Sequence, residues 1–454
     1  MTPKTTLELV GNTPLIRASR LDAGPCELFL KLESQNPGGS VKDRIGRSMI
    51  DAAERAGDVG SHQPRLVEAT AGNTGLGLAL VAARKGYRLT LVIPDKMSRE
   101  KILHLRALGA EIVITRSDVE KGHPEYYQDL AARLAAEAGA FYVNQFENPA
   151  NPLAHETTTG PEIVAALGGK LDAMVCGVGS GGTMTGLSRC FAREIPGCEM
   201  VLADPEGSIL AGFVETGRVG KAGSWLVEGI GEDFVPPIAD LSRVRRAYTI
   251  PDRESLATAR DLLRLEGILG GSSTGTLLAA ALRYCRAQDR PKRVCTLVPD
   301  SGNKYLSKMY DDAWLADQGL SDRPRAGDLR DLIARRAGEG AVVSVAPGDT
   351  LLVAYGRMKQ HDVSQLPVLE RGRIVGLLDE SDLLAAATED EERLRDAVSD
   401  HMTSRLVTVA PSMSIAELRP LFEEGLVPIV MDGPQFLGLV TRMDVVNFLR
   451  RRLG

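Results

Sequence analysis

The chain has 454 residues, with 54 Lys and Arg against 60 Asp and Glu, and therefore a net charge of −6. This mild acidity and an aromatic content of only 4% argue against nucleic acid as the main partner. The 6 cysteines are scattered without paired spacing, so we expect neither a disulfide framework nor a metal site. The sequence shows no signal-peptide pattern and no apolar run long enough to cross a membrane, and we expect a cytoplasmic protein.

Short apolar runs alternate with amphipathic segments over roughly the first two thirds of the chain. Such alternation is typical of a doubly wound α/β fold with mainly parallel sheets, in which ligands bind beyond the carboxyl ends of the strands. The predicted strands are 28–32, 66–69, 89–93, 111–114, 174–177, 200–203 and 294–298. The predicted helices are 41–56, 75–85, 98–108, 126–138, 183–194 and 253–266.

The last third of the chain contains an internal repeat. Val-Ala-Pro at 345–347 recurs at 409–411, and Leu-Pro-Val at 366–368 recurs as Val-Pro-Ile at 427–429. Gly-Leu-Leu at 376–378 with Asp382 recurs as Gly-Leu-Val at 438–440 with Asp444, both at an offset of 62 residues. Each copy predicts strand, helix, strand, strand, helix, which is too small to bury a core alone, so the copies should pack together. The predicted domains are a catalytic core (1–318), a linker (319–337) and two α+β repeats (338–396 and 397–454).

Lys42 follows two glycines and lies where a helix is predicted to begin. Ser40 and Asp43 have the spacing of a capping box. A lysine at the positive end of a helix dipole should have a lowered pKa, and the free amine is the form that makes a Schiff base with an aldehyde cofactor. A solvated lysine at a helix start is the simpler alternative.

Three further segments are short turns of small and polar residues that lead into predicted helices or an alanine-rich stretch, and the first two of them follow predicted strands. The turn 70–74 offers backbone N–H groups for a carboxylate, the loop 177–183 offers them for a phosphate, and 267–276 offers serine hydroxyls. Gly177, Gly179 and Gly182 also match a dinucleotide-binding pattern, with Asp204 as its acid, so a nicotinamide-dependent oxidoreductase is an alternative. Ordinary helix starts are the structural alternative for all three segments.

Together these segments resemble fold-type II pyridoxal-phosphate enzymes, the cysteine synthase and cystathionine β-synthase family. The resemblance extends from about Leu7 to about Lys308, and the C-terminal repeat resembles a tandem pair of CBS domains, also called a Bateman module. It implies pyridoxal 5′-phosphate as cofactor, small amino-acid substrates and a homodimer. The resemblance further implies that Lys42 bonds the cofactor and moves the substrate's Cα proton.

The resemblance also implies roles for the other site residues. Asn73 would bind the cofactor's ring oxygen and Ser273 its pyridine nitrogen. The phosphate would be held by Gly179, Ser180, Gly181, Gly182 and Thr183. The substrate carboxylate would be held by Thr70, Ala71, Gly72, Thr74 and Gln145.

The implied reaction is a β-replacement that condenses L-serine with L-homocysteine to cystathionine and water, as in transsulfuration and cysteine biosynthesis. Ala71, Phe146 and Glu232 depart from residues common in the family, so a cysteine synthase that uses O-acetylserine and sulfide is the close alternative. Animal members carry a haem segment before the core. Here the core begins almost at Met1, and we expect no haem.

The resemblance to CBS domains implies a candidate adenosyl-ligand site at Thr441 and Asp444. In the first copy an acid, Asp379, stands at the position of Thr441 and would repel a phosphate. The alternatives are S-adenosylmethionine, a nucleotide, or no ligand, in which case the pair only packs or dimerises. A ligand sensor built on an inactive core is a further alternative, which the presence of Lys42 disfavours.

Overall fold

A computed structural model describes residues 5–59, 65–70, 72–95, 97–119, 121–321 and 323–450. The chain divides into two compact units, Met1–Tyr310 and Asp311–Gly454. Because this division has only two units, the boundaries predicted for the core, the linker and the two repeats stay predictions. Among the described residues, none of the helices combines the length and apolar character that a membrane crossing requires.

The first unit contains ten strands and ten α-helices. The strands are β1 (Leu15–Arg17), β2 (Glu27–Lys31), β3 (Arg65–Ala69), β4 (Arg88–Pro94), β5 (Glu111–Thr115), β6 (Phe141–Tyr142), β7 (Ala173–Cys176), β8 (Glu199–Pro205), β9 (Val244–Ile250) and β10 (Arg293–Leu297). The helices are α1 (Lys42–Ala56), α2 (Asn73–Lys85), α3 (Arg99–Ala107), α4 (Tyr127–Ala138), α5 (Ala150–Ala154), α6 (Gly160–Ala166), α7 (Gly182–Glu194), α8 (Leu210–Thr216), α9 (Asp252–Glu266) and α10 (Ser272–Arg286). These counts cover the described ranges only.

The strands form two sheets. The larger has the order β1-β2-β10-β7-β8-β9 and is parallel except for β1; the smaller has the order β5-β4-β3-β6 and is parallel throughout. Strands such as β7 are buried along their whole length, as expected for parallel sheets covered by helices on both faces. Because β7, β8 and β10 are parallel, the loops after them emerge at one edge of the larger sheet. This confirms the predicted α/β class.

Every predicted strand and helix of this unit forms, with ends that differ by one or two residues. The sequence analysis missed β9 because this edge strand carries Arg245 and Arg246 and alternates only weakly in burial. It also missed the helical run from α5 to α6. Between those helices, His155–Thr159 forms a π-helical turn, in which the chain takes one residue more per turn than an α-helix does.

The second unit contains two small sheets and five α-helices in its described part. The elements are α11 (Asp312–Asp317), α12 (Leu351–His361), β11 (Gln365–Glu370), β12 (Arg373–Asp379), α13 (Glu380–Glu389), β13 (Thr408–Val409), α14 (Ile415–Glu423), β14 (Ile429–Asp432), β15 (Gln435–Leu439) and α15 (Arg442–Arg450). The second copy has the predicted order of strand, helix, strand, strand, helix. In the first copy the opening strand is reduced to a single bridge between Val345 and Val368.

Candidate active site

Lys42 is the first residue of α1, and its side chain lines a cavity at the edge of the larger sheet. Burial lowers the pKa of the Lys42 amine, against the opposing effects of Cys176, Asp300 and Glu232. The direction agrees with the sequence analysis, but the main physical cause is burial rather than the helix dipole. A buried lysine with a lowered pKa is poised to act as a free amine.

The predicted capping box at this helix is wrong. The N-cap is Val41 and no side chain caps it. The Ser40 hydroxyl instead accepts from the N–H of Lys42 at 3.2 Å, and the Asp43 carboxylate accepts from the N–H of Gly38. Asp43 therefore holds the glycine segment that precedes the helix, and this contact fixes the position at which α1 begins with Lys42.

The turn after β3 brings the amide of Asn73 into the same cavity. Asn73 Nδ2 donates to Asp300 Oδ2 at 2.7 Å, and Asn73 Oδ1 accepts from Lys304 Nζ at 3.0 Å. Gly72 has a φ of 125°, which favours glycine, and a Cβ there would lie 2.7 Å from Lys101 Cδ. Close packing and backbone conformation together require the glycine.

The remaining polar residues of the turn are tied to each other. The hydroxyl oxygen of Thr70 accepts from the N–H of Gly72 at 3.0 Å, and the Thr74 hydroxyl donates to Gln145 Oε1 at 2.6 Å. Gln145 Nε2 donates to the carbonyl oxygen of Ala69 at 3.1 Å. The N–H groups at the start of α2 remain as donors for an anion, because the first turn of a helix lacks acceptors within the helix. Ala71 lies outside the described residues.

The glycine loop after β7 leads into α7 and lines the cavity with Gly179, Gly181 and Thr183. A Cβ on Gly179 would lie 2.6 Å from the carbonyl oxygen of Gly229, and one on Gly182 would lie 1.8 Å from Asn151 Oδ1. These two glycines are thus required by the segments packed behind the loop. Because glycines have no side chains, the loop presents backbone N–H groups at a helix start to the cavity. Such an arrangement binds phosphate.

Two buried side chains support this loop from behind. Asn151 Nδ2 donates to Ser180 Oγ at 2.9 Å and to the carbonyl oxygen of Gln145 at 2.7 Å, so it connects the loop to the substrate turn. His155 Nε2 lies 3.2 Å from Thr183 Oγ1. Burial lowers the pKa of His155 well below its usual range, with Lys42 acting in the same direction, so the ring is neutral at pH 7.

Ser273 lies in the first turn of α10 and lines the cavity opposite the glycine loop. Its neighbour Ser272 has a different task, since the Ser272 hydroxyl accepts from the N–H of Glu228 at 2.9 Å. Of these two serines, Ser273 is therefore the one whose hydroxyl is available to a ligand in the cavity.

Asp204 does not lie at the glycine loop, as the dinucleotide alternative requires. Its carboxylate is buried at the end of β8 and accepts from the N–H of Ala211 at 2.8 Å, near the start of α8. Burial raises the pKa of Asp204 to about 6. Asp204 thus stabilises a helix start, and the expected acid for a ribose is missing from the described part of this site.

The sequence analysis missed Asp300 and the buried network around it. Asp300 Oδ2 accepts from Tyr305 Oη at 2.6 Å, and Tyr305 Oη accepts in turn from Lys101 Nζ at 2.9 Å. Lys101 also forms an ion pair of 2.7 Å with Glu228. The position of Asp300 directly after the predicted strand 294–298 was the available indication, since the carboxyl ends of parallel strands carry functional residues in such folds.

Comparison with known proteins agrees with this geometry. A family model described as pyridoxal-phosphate dependent enzyme matches residues 6–300. The chain belongs to this enzyme family. The CBS domain model matches residues 330–389 and 398–451, which confirms the resemblance of the repeat.

Individual relatives match nearly the whole chain. Cystathionine beta-synthase of Dictyostelium discoideum is 35% identical over 465 residues, which cover 98% of this chain and 92% of that protein. The Saccharomyces cerevisiae protein of the same name is 33% identical and covers 98% and 97%. The solved structure of an O-acetylserine dependent cystathionine beta-synthase from Helicobacter pylori is 37% identical, with a TM-score of 0.63, and covers 68% of this chain and 98% of that one.

The cavity fits the family's cofactor, pyridoxal phosphate. It offers a lysine amine for the aldehyde, an asparagine amide for the ring oxygen, a helix start lined with glycines for the phosphate, and a serine hydroxyl for the ring nitrogen. Cys176 also lines the cavity, and burial raises the pKa of its thiol to about 12, so the thiol is uncharged beside the amine. Sequence reasoning gave this thiol no role in the site.

Two of the residues that depart from the family pattern have described surroundings. Phe146 is buried and packs against Phe234, with ring centroids 5.6 Å apart. Glu232 is half-buried, and its charge raises the pKa of Lys42. Glu232 therefore belongs to the surroundings of the amine, where it can influence which substrate pair is accepted.

The second unit has a cavity of its own, of about 630 Å³. Thr441 and Asp444 line it, together with Arg335 and Arg442. The Thr441 hydroxyl donates to Asp444 Oδ2 at 2.6 Å, and the Asp444 N–H donates to Thr441 Oγ1 at 3.3 Å, in the manner of a capping box at the start of α15. Asp379 and Asp382 form a capping box at α13 in the first copy.

Proposed function

We propose that the protein is a pyridoxal-phosphate-dependent lyase that condenses L-serine with L-homocysteine to cystathionine and water. One observation carries the proposal: Lys42, Asn73, the glycine loop and Ser273 line a single cavity although they are far apart in the chain. The similarity over nearly the whole chain to proteins named cystathionine beta-synthase supports this choice of substrates.

When bound, the cofactor supplies an electron sink for the bonds at the substrate's Cα. Lys42, the first residue of α1, has a pKa that burial lowers; its free amine removes the proton from Cα and thereby starts loss of the β-hydroxyl. Ser273 offers the pyridine nitrogen a neutral hydroxyl. A hydroxyl cannot keep that nitrogen protonated as a carboxylate would, so the sink is weaker and prompt loss of the β-substituent is favoured.

The substrate carboxylate is held at the start of α2. The N–H groups of this helix start point toward an anion, while Thr70, Thr74 and Gln145 keep the turn in shape through their mutual hydrogen bonds. The thiol then adds to the β-carbon.

The test is product identification by mass spectrometry, with serine and homocysteine competing against O-acetylserine and sulfide. Cystathionine formed from the first pair is the expected result. Cysteine formed only from the second pair would replace the proposal by a cysteine synthase. The relative from Helicobacter pylori, whose name includes both O-acetylserine and cystathionine, makes a third mixture necessary, namely O-acetylserine with homocysteine.

We further propose that the cavity of the second unit binds an adenosyl ligand. Its volume of about 630 Å³ lies within the usual range for small-molecule sites, and Thr441 and Asp444 line it. Calorimetric titration of the full chain with S-adenosylmethionine, ATP and AMP tests this. Binding that Asp444→Asn weakens at least about 10-fold is expected, while absence of binding by all three would leave the module without a ligand role.

A further inference from the structure

Asp300 connects three of the segments that build the active site. Its backbone forms a bridge with Ser40, next to the start of α1, and its carbonyl oxygen accepts from the N–H of Gly271 at 3.0 Å, next to the start of α10. Its side chain accepts from Asn73 at the start of α2. The residue is fully buried, and a Cβ on Gly271 would lie 2.0 Å from its Oδ1. Asp300 therefore has little freedom to move.

The amide of Asn73 lies between two groups of opposite hydrogen-bonding type. A carboxylate such as Asp300 can only accept, and the ammonium of Lys304 can only donate. The 2.7 Å bond from Asn73 Nδ2 to Asp300 and the 3.0 Å bond from Lys304 to Asn73 Oδ1 therefore define which end of the amide is nitrogen. The second hydrogen of Nδ2 is left for a ligand in the cavity that Asn73 lines.

Other buried contacts hold both clamping groups in place. Tyr305 donates to the same Asp300 oxygen at 2.6 Å, and Lys304 also donates to the carbonyl oxygen of Gly39 at 3.1 Å. The other oxygen of Asp300, Oδ1, has no hydrogen-bond partner among the described residues. Burial lowers the pKa of Lys304 to about 8, although Asp300 opposes this, so the ammonium form still predominates at pH 7.

We propose that Asp300 and Lys304 are positioning residues that orient the Asn73 amide, so that its nitrogen donates to the ring oxygen of the cofactor. A fixed donor at this place stabilises the anionic form of that oxygen. The inference rests on the proposed cofactor site. It goes beyond the family's binding residues, because neither Asp300 nor Lys304 need touch the cofactor.

The test uses the purified full-length holoenzyme and its Asp300→Ala variant, with two readouts that need no substrate. Without the clamp the amide can rotate, and the ring oxygen loses its donor and retains its proton. The visible absorption maximum of the bound cofactor should therefore move to shorter wavelength. The dissociation constant of the cofactor should rise by about 10- to 100-fold, the usual effect of losing a hydrogen bond to a charged group.

Tyr284→Phe is the matched control, because it removes a tyrosine hydroxyl that likewise donates to a carboxylate, Glu199, but that bonds neither Asp300 nor Asn73. Its spectrum should stay like that of the wild type. Lys304→Met loosens the opposite end of the amide and should shift the spectrum in the same direction as Asp300→Ala. If Asp300→Ala does not fold, Lys304→Met decides alone.

An unshifted spectrum and unchanged cofactor retention in the clamp variants that fold would overturn the inference. An equal shift in Tyr284→Phe would do the same, since it would indicate general disturbance of the core. Either result is separate from failure of the proposed function, which would appear as a different product from an enzyme whose cofactor spectrum is normal.

Discussion

Burial decides which ionisable side chains of the first unit carry a charge at pH 7. Lys42 and His155 lie in surroundings that disfavour a positive charge, and the pKa of each is lowered. Glu68, in β3 behind the substrate turn, is fully buried, and burial raises its pKa to about 8. The shift at Lys42 favours the free amine with which the proposed chemistry begins.

We expect Lys42→Ala to lower turnover by about 1,000-fold or more, because the amine is the base for the Cα proton. Steady-state assays of cystathionine formation and circular dichroism measure activity and fold together. The control is Lys170→Ala, which removes an exposed lysine. Retention of a substantial rate in a folded Lys42→Ala protein would contradict the assigned role.

Glu68 predicts a pH dependence of stability. A carboxyl whose pKa is raised from 4.5 to about 8 on folding binds its proton more tightly in the folded state. Its stabilising contribution is therefore complete below about pH 4.5 and is lost as the pH rises through 8. Glu68→Gln should remove this loss. The free energy of unfolding of the variant, relative to that of the wild type, should therefore rise between pH 5 and 8 by a few kcal/mol, on the order expected for such a pKa shift.

Denaturant titrations at several pH values measure this difference. Glu215→Gln, which changes an exposed glutamate in α8, serves as the control and should follow the wild type. A constant difference between Glu68→Gln and wild type across the range would mean that Glu68 stays ionised in the folded protein.

The candidate site residues could be singled out from the sequence because each lies in a short segment of distinctive composition. Lys42 follows two glycines, and the predicted phosphate loop is nearly all glycine. Asp300 could not be assigned in this way, because its proposed role depends on a contact with Asn73 across 227 positions of the chain. The capping box at Lys42 was wrong because Asp43 accepts from the N–H of Gly38 in the preceding glycine segment, and residue spacing alone does not reveal that competing contact.

At the scale of elements, α1 is fixed by buried charges as well as by apolar packing. Arg44, one turn from the helix start, forms ion pairs with Glu33 at 2.8 Å and with Glu162 of α6 at 2.7 Å. Lys31 of β2 also pairs with Glu162, at 2.6 Å. The orientation of the helix that carries Lys42 thus depends on a network that reaches β2 and α6.

Arg44→Met should therefore be strongly destabilising, by about 3–5 kcal/mol, because it leaves Glu33 buried without its charged partner. Urea denaturation of the holoenzyme measures the change. The control is Arg116→Met, which breaks the exposed pair with Asp118 and should change the stability far less, because solvent screens that pair. Similar values for the two variants would argue against a special role of the buried network.

The glycine loop gives a prediction that separates the effect of backbone strain on cofactor retention from the effect of an added negative charge. Gly181 has a φ of 93°, and a Cβ there would lie 2.6 Å from the Cβ of Ala239. Gly181→Ala should weaken cofactor retention through strain, and Gly181→Asp should weaken it further by repelling the phosphate. Equilibrium dialysis measures the retained cofactor, with Gly197→Asp, where a Cβ meets open space, as the control. Equal retention in all three variants would contradict the phosphate site.

At the scale of the whole molecule, the chain combines a catalytic unit with a unit that has its own cavity. Cytoplasmic location and a homodimer stay predictions that rest on the sequence and on the resemblance. Light scattering during gel filtration should give twice the monomer mass, and a monomeric mass at micromolar concentration would contradict the homodimer. The measurement should be repeated with S-adenosylmethionine, because a ligand in the second unit can change assembly.

The π-helical turn between α5 and α6 sets the rotational phase of α6. Regular α-helical winding of the same residues would rotate α6 by about 100° and turn Glu162, which lies beyond the π-helical turn, away from Arg44. Deletion of one residue within the turn, for instance Thr157, can be absorbed by a return to regular winding, so that Glu162 keeps its place beside its cations. The segment should therefore tolerate a single deletion better than the regular helices on either side of it.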